Sequence, residues 1–173
     1  MARFLLGVIA AILAIAICGY TYVAMGFAPV ATTATPLPFE TAIAHMAMHR
    51  TVARQMPITP TIAASEDTFA AGAHLYRTHC AVCHGLPGQP KSAIATGEFP
   101  KPPELFKGTG VTDDSPGETW WKVANGIRLT GMPGFKGSLS DEQMWQISLL
   151  VANADKLSQS VKDILQPPLP NQL

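Results

Sequence analysis

The residue types that could do chemistry stand together in the stretch Cys80-Ala81-Val82-Cys83-His84. Two thiols at this spacing, followed directly by a histidine, form the attachment signature of a c-type haem. On one turn of helix each sulfur can add to a vinyl group of one porphyrin, and the next imidazole can reach the iron. The alternatives are a CxxC redox pair or half of a zinc site, although four-ligand zinc needs a second pair that the sequence does not show. The motif therefore predicts one haem c, bound covalently through Cys80 and Cys83.

A candidate second axial ligand lies further along the chain. Met132 stands between Gly131 and Pro133, so it falls in a loop rather than in the core of a helix. Its thioether could approach the iron from the side opposite His84, and packing within the loop is the alternative. His84 and Met132 are the predicted metal ligands.

Four further residues are candidates for contact with the cofactor. A haem-ligating histidine usually donates its other ring N–H to a carbonyl. The turn containing Pro103 and Leu105 is a candidate for that acceptor, or an ordinary proline turn. Trp120 and Trp121 are both large enough to wall a haem crevice, and an indole N–H could reach a propionate; Trp121 is the predicted contact. Arg128 could pair with a propionate, since a buried charge needs a partner.

Helices must position these groups. An oxygen cap at Ser65, followed by two acidic residues, predicts a helix that runs into the attachment motif. Gly72, near the buried face of that helix, could allow another helix to approach closely. A short helix is predicted over 118–125. A closing helix over 139–153 begins with Ser140 in capping-box spacing.

The first 28 residues have the composition of a membrane-spanning segment. No charged residue lies between Phe4 and Ala28, and an apolar helix of this length spans a bilayer core of about 30 Å. Only Arg3 and the amino terminus precede it, which favours the N-terminus inside and the rest of the chain outside. A cleaved signal peptide shares the charged start and the apolar run, and it is the alternative to a retained single-pass anchor.

The remaining chain divides by composition into three segments. Residues 29–65 read as a proline-rich linker with one helix, on which His45 and His49 would share a face. That pair could bind a metal, or it could form a polar face or contact a partner. Residues 66–156 form the predicted haem domain, and 157–173 a proline-rich C-terminal tail.

Composition and charge narrow the possible classes of function. The formal net charge is zero, which gives no reason to expect nucleic acid as a partner. Hydrophobic residues make up 47% of the chain, and a membrane segment would explain that share.

The chain resembles the class I c-type cytochromes over residues 66–156. The resemblance rests on the helix that ends in the attachment motif, on Pro103-Glu104-Leu105, on Gly131-Met132-Pro133 and on the closing helix. It implies an all-α domain wrapped around one haem, with His84 and Met132 as axial ligands and the Pro103 carbonyl as the partner of His84. The expected fold is therefore all-α, a class I cytochrome c-like haem domain preceded by a transmembrane helix and a helical linker.

The function that the resemblance implies is one-electron transfer by a membrane-tethered cytochrome, not an enzyme. The chain is expected in the inner membrane, with its haem domain on the periplasmic side, within or next to a bacterial respiratory chain. Expected partners are the membrane and redox proteins or other subunits of a membrane complex, with no nucleic acid and no small-molecule substrate. A subunit of a periplasmic dehydrogenase or oxidase complex is the alternative. A haem enzyme or gas sensor would need an open or displaceable iron position.

Overall fold

The computed structural model describes residues 1–107 and 114–169, and within them every regular element is a helix. The all-α prediction is confirmed for this part of the chain. The chain divides into two compact units, Met1–Glu40 and Thr41–Leu173. The helices are α1 (Ala2–Ala24), α2 (Glu40–Gln55), α3 (Glu66–His79), α4 (Ala81–His84), α5 (Ala93–Gly97), α6 (Pro116–Asn125), α7 (Asp141–Ala152) and α8 (Gln159–Leu165).

The first unit is dominated by α1, whose 23 residues include no buried side chain. At 1.5 Å per residue the helix is about 34 Å long, which matches the thickness of a bilayer core. It is the single helix in the described residues that is long and apolar enough to cross a membrane, and a signal sequence near the N-terminus meets the same test. The Glu40 carboxylate accepts a hydrogen bond from the Leu37 backbone N–H at 2.8 Å.

The second unit is built around the crossing of α3 and α7. Ser65 caps α3 by accepting from the Thr68 N–H at 3.2 Å, and Ser140 and Gln143 form the predicted capping box at the start of α7. At the crossing, a Cβ on Gly72 would collide with the Gln146 carbonyl oxygen. The predicted close approach of a second helix at Gly72 is confirmed. Tyr76 and Leu150 are fully buried beside it.

Helix α6 packs on α7 and begins two residues before the predicted start. Ser115 accepts from the Glu118 N–H at 3.2 Å, and Pro116 occupies the first turn, where its missing N–H is not needed. Trp120 stacks on Trp145 of α7, with ring centroids 5.6 Å apart. The stack fixes the side of α6 that faces the core.

The segment before the predicted haem domain packs onto α6. Val52 of α2 is 1% exposed, and Gln55 accepts a hydrogen bond from the Trp121 indole at 3.2 Å. A Cβ on Gly117 would collide with the Pro57 carbonyl oxygen. The end of the predicted linker is therefore part of the packed unit. The four-segment division proposed from the sequence stays a prediction.

The C-terminal segment also contributes to the core. Helix α8 buries Val161 and Leu165 in one cluster with Tyr76 of α3. The Glu66 carboxylate accepts hydrogen bonds from the hydroxyls of Ser158 and Ser160. The last four residues of the predicted tail, 170–173, lie outside the described residues.

Candidate haem-binding site

The attachment motif lies where α3 ends and α4 begins. Cys80 is both the C-cap residue of α3 and the N-cap residue of α4. Its backbone N–H donates to the Tyr76 carbonyl at 2.8 Å. The backbone N–H groups of Cys83 and His84 donate to the Cys80 carbonyl at 3.1 and 2.9 Å. The motif therefore forms the single helical turn that the attachment chemistry needs.

The His84 ring is oriented by a backbone carbonyl. Its Nδ1 lies 2.8 Å from the Pro103 oxygen, which can only accept, so Nδ1 carries the proton and the Nε2 lone pair is left for a metal. Burial lowers the pKa of His84, while the Pro103 carbonyl and then Glu98 oppose that change. A neutral imidazole is the form that ligates a metal. The structure thus places the Pro103 carbonyl where the resemblance implies it.

The two cysteine sulfurs sit in surroundings that disfavour a thiolate. Burial, followed by the proximity of Cys83, raises the pKa of Cys80 to about 12. Burial raises the pKa of Cys83 as well, and the Glu98 carboxylate adds to that effect. A thioether formed at either sulfur is neutral at every pH, so the site suits attached sulfur better than ionised thiol.

Met132 and Cys80 border the same apolar cluster. Both are half-buried and pack against a group of buried residues from α6, α7 and the loop before α7, namely Val123, Ala124, Leu139, Met144 and Ile147. The Met132 carbonyl accepts from the Ile127 N–H at 3.2 Å, and its own N–H donates to the Thr130 hydroxyl at 3.1 Å. One cluster therefore connects the attachment turn with the loop that carries the predicted second ligand.

Two glycines hold that loop against α6. Gly126, with φ of 68°, and Gly134 approach so closely that a Cβ on Gly126 would lie 2.5 Å from the Gly134 nitrogen. The Phe135 N–H then donates to the Val123 carbonyl at 2.9 Å. Backbone hydrogen bonds and this contact between two glycines thus hold the loop against α6.

The other three predicted haem contacts, Leu105, Trp121 and Arg128, lie in different surroundings. Leu105 is half-buried against the cluster that holds Tyr76. The Trp121 indole N–H is already bonded to Gln55. Arg128 is exposed, and in the part of the chain that the structure describes it forms no ion pair. Among the described residues, neither Trp121 nor Arg128 forms a side-chain hydrogen bond or ion pair with His84 or Met132.

Two residues outside the predicted set of contacts stand at the site, namely Trp120, which the sequence grouped with Trp121, and Glu98. Within residues 1–107 and 114–169, Trp120 Nε1 is a buried donor without a partner, and it packs against the same cluster as Met132 and Cys80. Glu98 Oε1 lies 3.5 Å from Cys83 Sγ. The spacing of Trp120 with Val123 and Ala124 on one helical face could have distinguished it from Trp121. No pattern in the sequence points to Glu98.

The donor set fits a haem rather than a free metal ion. Within residues 1–107 and 114–169, no three His, Cys, Asp or Glu side chains group so as to hold an ion. A haem instead needs two neutral sulfurs, an oriented imidazole, an apolar wall and donors for its carboxylates. The attachment turn, His84, the cluster and the unpartnered Trp120 N–H match these requirements.

A comparison with known protein families agrees with a c-type cytochrome domain. Residues 67–149 match the family described as cytochrome c oxidase, cbb3-type, subunit III. A search of curated proteins finds no match. Among solved structures, a chain of a Kuenenia stuttgartiensis reducing HAO-like protein complex is similar at 26% identity, with a TM-score of 0.47. That similarity covers 56% of this chain and 47% of the solved chain, so this chain spans about half of the other's length.

Proposed function

Because this chain carries a class I c-type cytochrome domain, we propose that it transfers single electrons through one haem attached at Cys80 and Cys83. The observation that carries the proposal is the attachment turn itself, in which the Pro103 carbonyl fixes His84 with Nε2 free. A bound haem supplies the Fe(III)/Fe(II) couple.

The chain's own residues could hold the iron of a bound haem without leaving room for a substrate. His84 would supply a nitrogen, and Met132 would supply a thioether from the loop that packs against the same cluster as Cys80. An iron with both of these ligands would have no free position, which favours electron transfer over catalysis or gas sensing. A His/Met pair also raises the reduction potential relative to more strongly donating ligands.

Trp120 is the proposed donor to a haem carboxylate, in place of Trp121. A buried N–H without a partner costs about 1–3 kcal/mol, and a propionate oxygen would remove that penalty. The Trp121 indole already has Gln55 as its acceptor. Arg128 and Leu105 stay proposed contacts at the edge of the site.

The proposed location is the outer face of the inner membrane, with α1 as a retained anchor. Its length and its lack of charge after Arg3 support this placement. Because a cleaved signal has the same features, the mass of the mature chain distinguishes the two. An anchored chain keeps residues 1–28 and partitions with membranes.

A subunit role in a membrane complex is the second candidate, and the family match favours it. The matched family is named as subunit III of a cbb3-type cytochrome c oxidase. Purification of the full chain from its native membrane in mild detergent separates the two roles. A free tethered carrier elutes alone, whereas a subunit elutes with stoichiometric partners.

The direct test of the proposed function is mass spectrometry combined with redox titration of the full chain. We expect denatured wild type to keep the mass of one haem and the native protein to titrate as a single one-electron couple. Cys80→Ala with Cys83→Ala should lose the covalent mass, whereas Cys18→Ala should keep it. Retention of covalent haem by the double variant would refute attachment at this motif.

A further inference from the structure

Glu98 lies between the two halves of the proposed site. It follows α5, and its N–H donates to the Ile94 carbonyl at 3.2 Å. Its Oε1 is 3.5 Å from Cys83 Sγ, and it would lie 2.5 Å from a Cβ built on Gly131. One carboxylate therefore touches both the attachment turn and the residue next to Met132.

The side chain is half-buried and its charge has no counter-ion. Within the described residues, no cationic nitrogen of Lys, Arg or His lies within ion-pair distance of Glu98. By contrast, Glu104 has Lys91 and Lys107 each at 3.5 Å, and Glu118 has Lys122 at 2.9 Å. Glu98 thus differs from the neighbouring acids in leaving its negative charge uncompensated.

The charge lies close to the groups that would surround the iron. Glu98 Oε1 is 3.5 Å from Cys83 Sγ, and Cys83 directly precedes His84 in the chain. In the attached protein the Cys83 thiol would become a thioether without a proton, so the carboxylate would no longer accept a hydrogen bond from that sulfur.

We propose that Glu98 sets the reduction potential of the site by holding an uncompensated negative charge at the rim between Cys83 and Gly131. This inference rests on the proposed function. Adding one electron lowers the charge of the centre by one, so a nearby carboxylate stabilises the oxidised form more than the reduced form. Glu98 therefore lowers the potential that His84 and Met132 alone would give.

The same contact bears on the glycine in the ligand loop. A Cβ at position 131 would meet the end of the flexible Glu98 side chain, so the carboxylate would have to move aside. We therefore expect a side chain at position 131 to displace the negative charge of Glu98.

The test compares Glu98→Gln with Glu142→Gln by redox titration of the haem-loaded full chain. Glu142 offers the same chemical change on the exposed first turn of α7. We expect Glu98→Gln to shift the equilibrium constant for reduction upward by about threefold or more, which is about 30 mV for a one-electron couple. Glu142→Gln should shift it by much less, and Glu98→Asp, which keeps the charge, should stay close to wild type.

The outcomes separate this inference from the proposed function. A wild type without covalent haem would overturn the proposed function. A wild type with normal haem, in which Glu98→Gln shifts the potential no further than Glu142→Gln, would overturn the role of Glu98 alone. If Glu98→Asp shifts the reduction potential as far as Glu98→Gln does, the negative charge is not what sets the potential.

A second measurement tests the contact with Gly131. Gly131→Ala should lower the midpoint of thermal unfolding in the wild-type background and less so in the Glu98→Ala background, because shortening residue 98 frees the space. An equal decrease in the midpoint of thermal unfolding in both backgrounds would show that the Glu98 carboxylate does not contact the loop. Gly137→Ala, where a Cβ meets nothing within 4 Å, is the matched control.

Discussion

The two sides of the proposed haem site are held in different ways. On the His84 side, two side chains are held by hydrogen bonds to backbone carbonyls. Tyr76 is fully buried and its hydroxyl donates to the Gly85 carbonyl at 2.8 Å, and the Pro103 carbonyl orients the His84 imidazole. On the Met132 side, the loop is held by backbone hydrogen bonds and by the contact of Gly126 with Gly134.

The surroundings of the two sides differ as well. The His84 side is covered by α3, α7 and α8, which share one cluster of buried residues. The Met132 loop includes Leu129, which is 93% exposed and has φ of 61°, a conformation that a leucine rarely adopts. Damage to the His84 side should therefore unfold the domain, whereas damage to the Met132 side should first change the second ligand.

The largest expected effect comes from Gly72→Ala on the His84 side. The added methyl would meet the Gln146 backbone carbonyl, and backbone cannot move aside as a flexible side chain can. We expect a loss of about 3 kcal/mol or more in the free energy of unfolding. Urea unfolding measures it, with Gly137→Ala as control. A loss equal to that of the control would mean that α3 and α7 do not cross in contact at this residue.

Gly126→Ala tests the Met132 side. Here φ of 68° with ψ of −175° is a conformation essentially confined to glycine, and it costs about 1–3 kcal/mol for a residue with a Cβ. Contact of the Cβ with the 132–134 backbone adds to that cost. We expect partial loss of sulfur ligation, seen by proton NMR of the reduced protein as a decrease in the methionine methyl signal shifted by the haem. The helical circular dichroism should remain. Full unfolding without a ligation-deficient folded form would contradict the proposed difference between the two sides.

Tyr76→Phe should have a moderate effect on the His84 side. Removing the hydroxyl leaves the buried Gly85 carbonyl without its donor, which costs about 1–3 kcal/mol. Thr78→Ala removes an exposed hydroxyl that donates to the His74 carbonyl at 3.0 Å, and it should cost far less. Chemical unfolding of both variants checks the ranking, and comparable losses would argue against a fixed Tyr76.

The smallest effect is a pH dependence that tests whether α8 belongs to the His84 side. Hydrogen bonds from Ser158 and Ser160 lower the pKa of Glu66 from its ordinary value of 4.5. Because the folded pKa lies below the unfolded one, the contribution is complete above the unfolded value and disappears as pH falls through the folded one. Unfolding free energies of Glu66→Gln should therefore depend less on pH below about 4.5 than those of wild type.

If the pH dependence of Glu66→Gln follows that of wild type, α8 is not held to α3 by this carboxylate.

The features that could be predicted from the sequence are those that depend on a short motif or on helical spacing. The attachment motif, the cap at Ser65, the capping box at Ser140 and the close approach at Gly72 follow from local spacing and size. They could be predicted because each depends on residues within one turn, or on the absence of a side chain.

The rest depended on tertiary contacts that local patterns do not encode. Trp120 and Trp121 are adjacent, and the stack of Trp120 on Trp145 and the hydrogen bond of Trp121 to Gln55 show which of them faces the core. The prolines after residue 166 suggested a tail, whereas burial of Val161 and Leu165 makes the preceding turn part of the core. Glu98 meets Cys83 and Gly131 only because the fold brings three distant segments together.

The most direct test of the two-sided site is the ligand state of the haem in Met132→Ala, measured in the full chain in detergent. Wild type should show a sulfur–iron charge-transfer band when oxidised and should not bind carbon monoxide when reduced. Met132→Ala should lose the band, bind carbon monoxide and have a lower reduction potential, while Met46→Ala, at an exposed position, should match wild type. A Met132→Ala protein that keeps both the band and the wild-type potential would contradict the account.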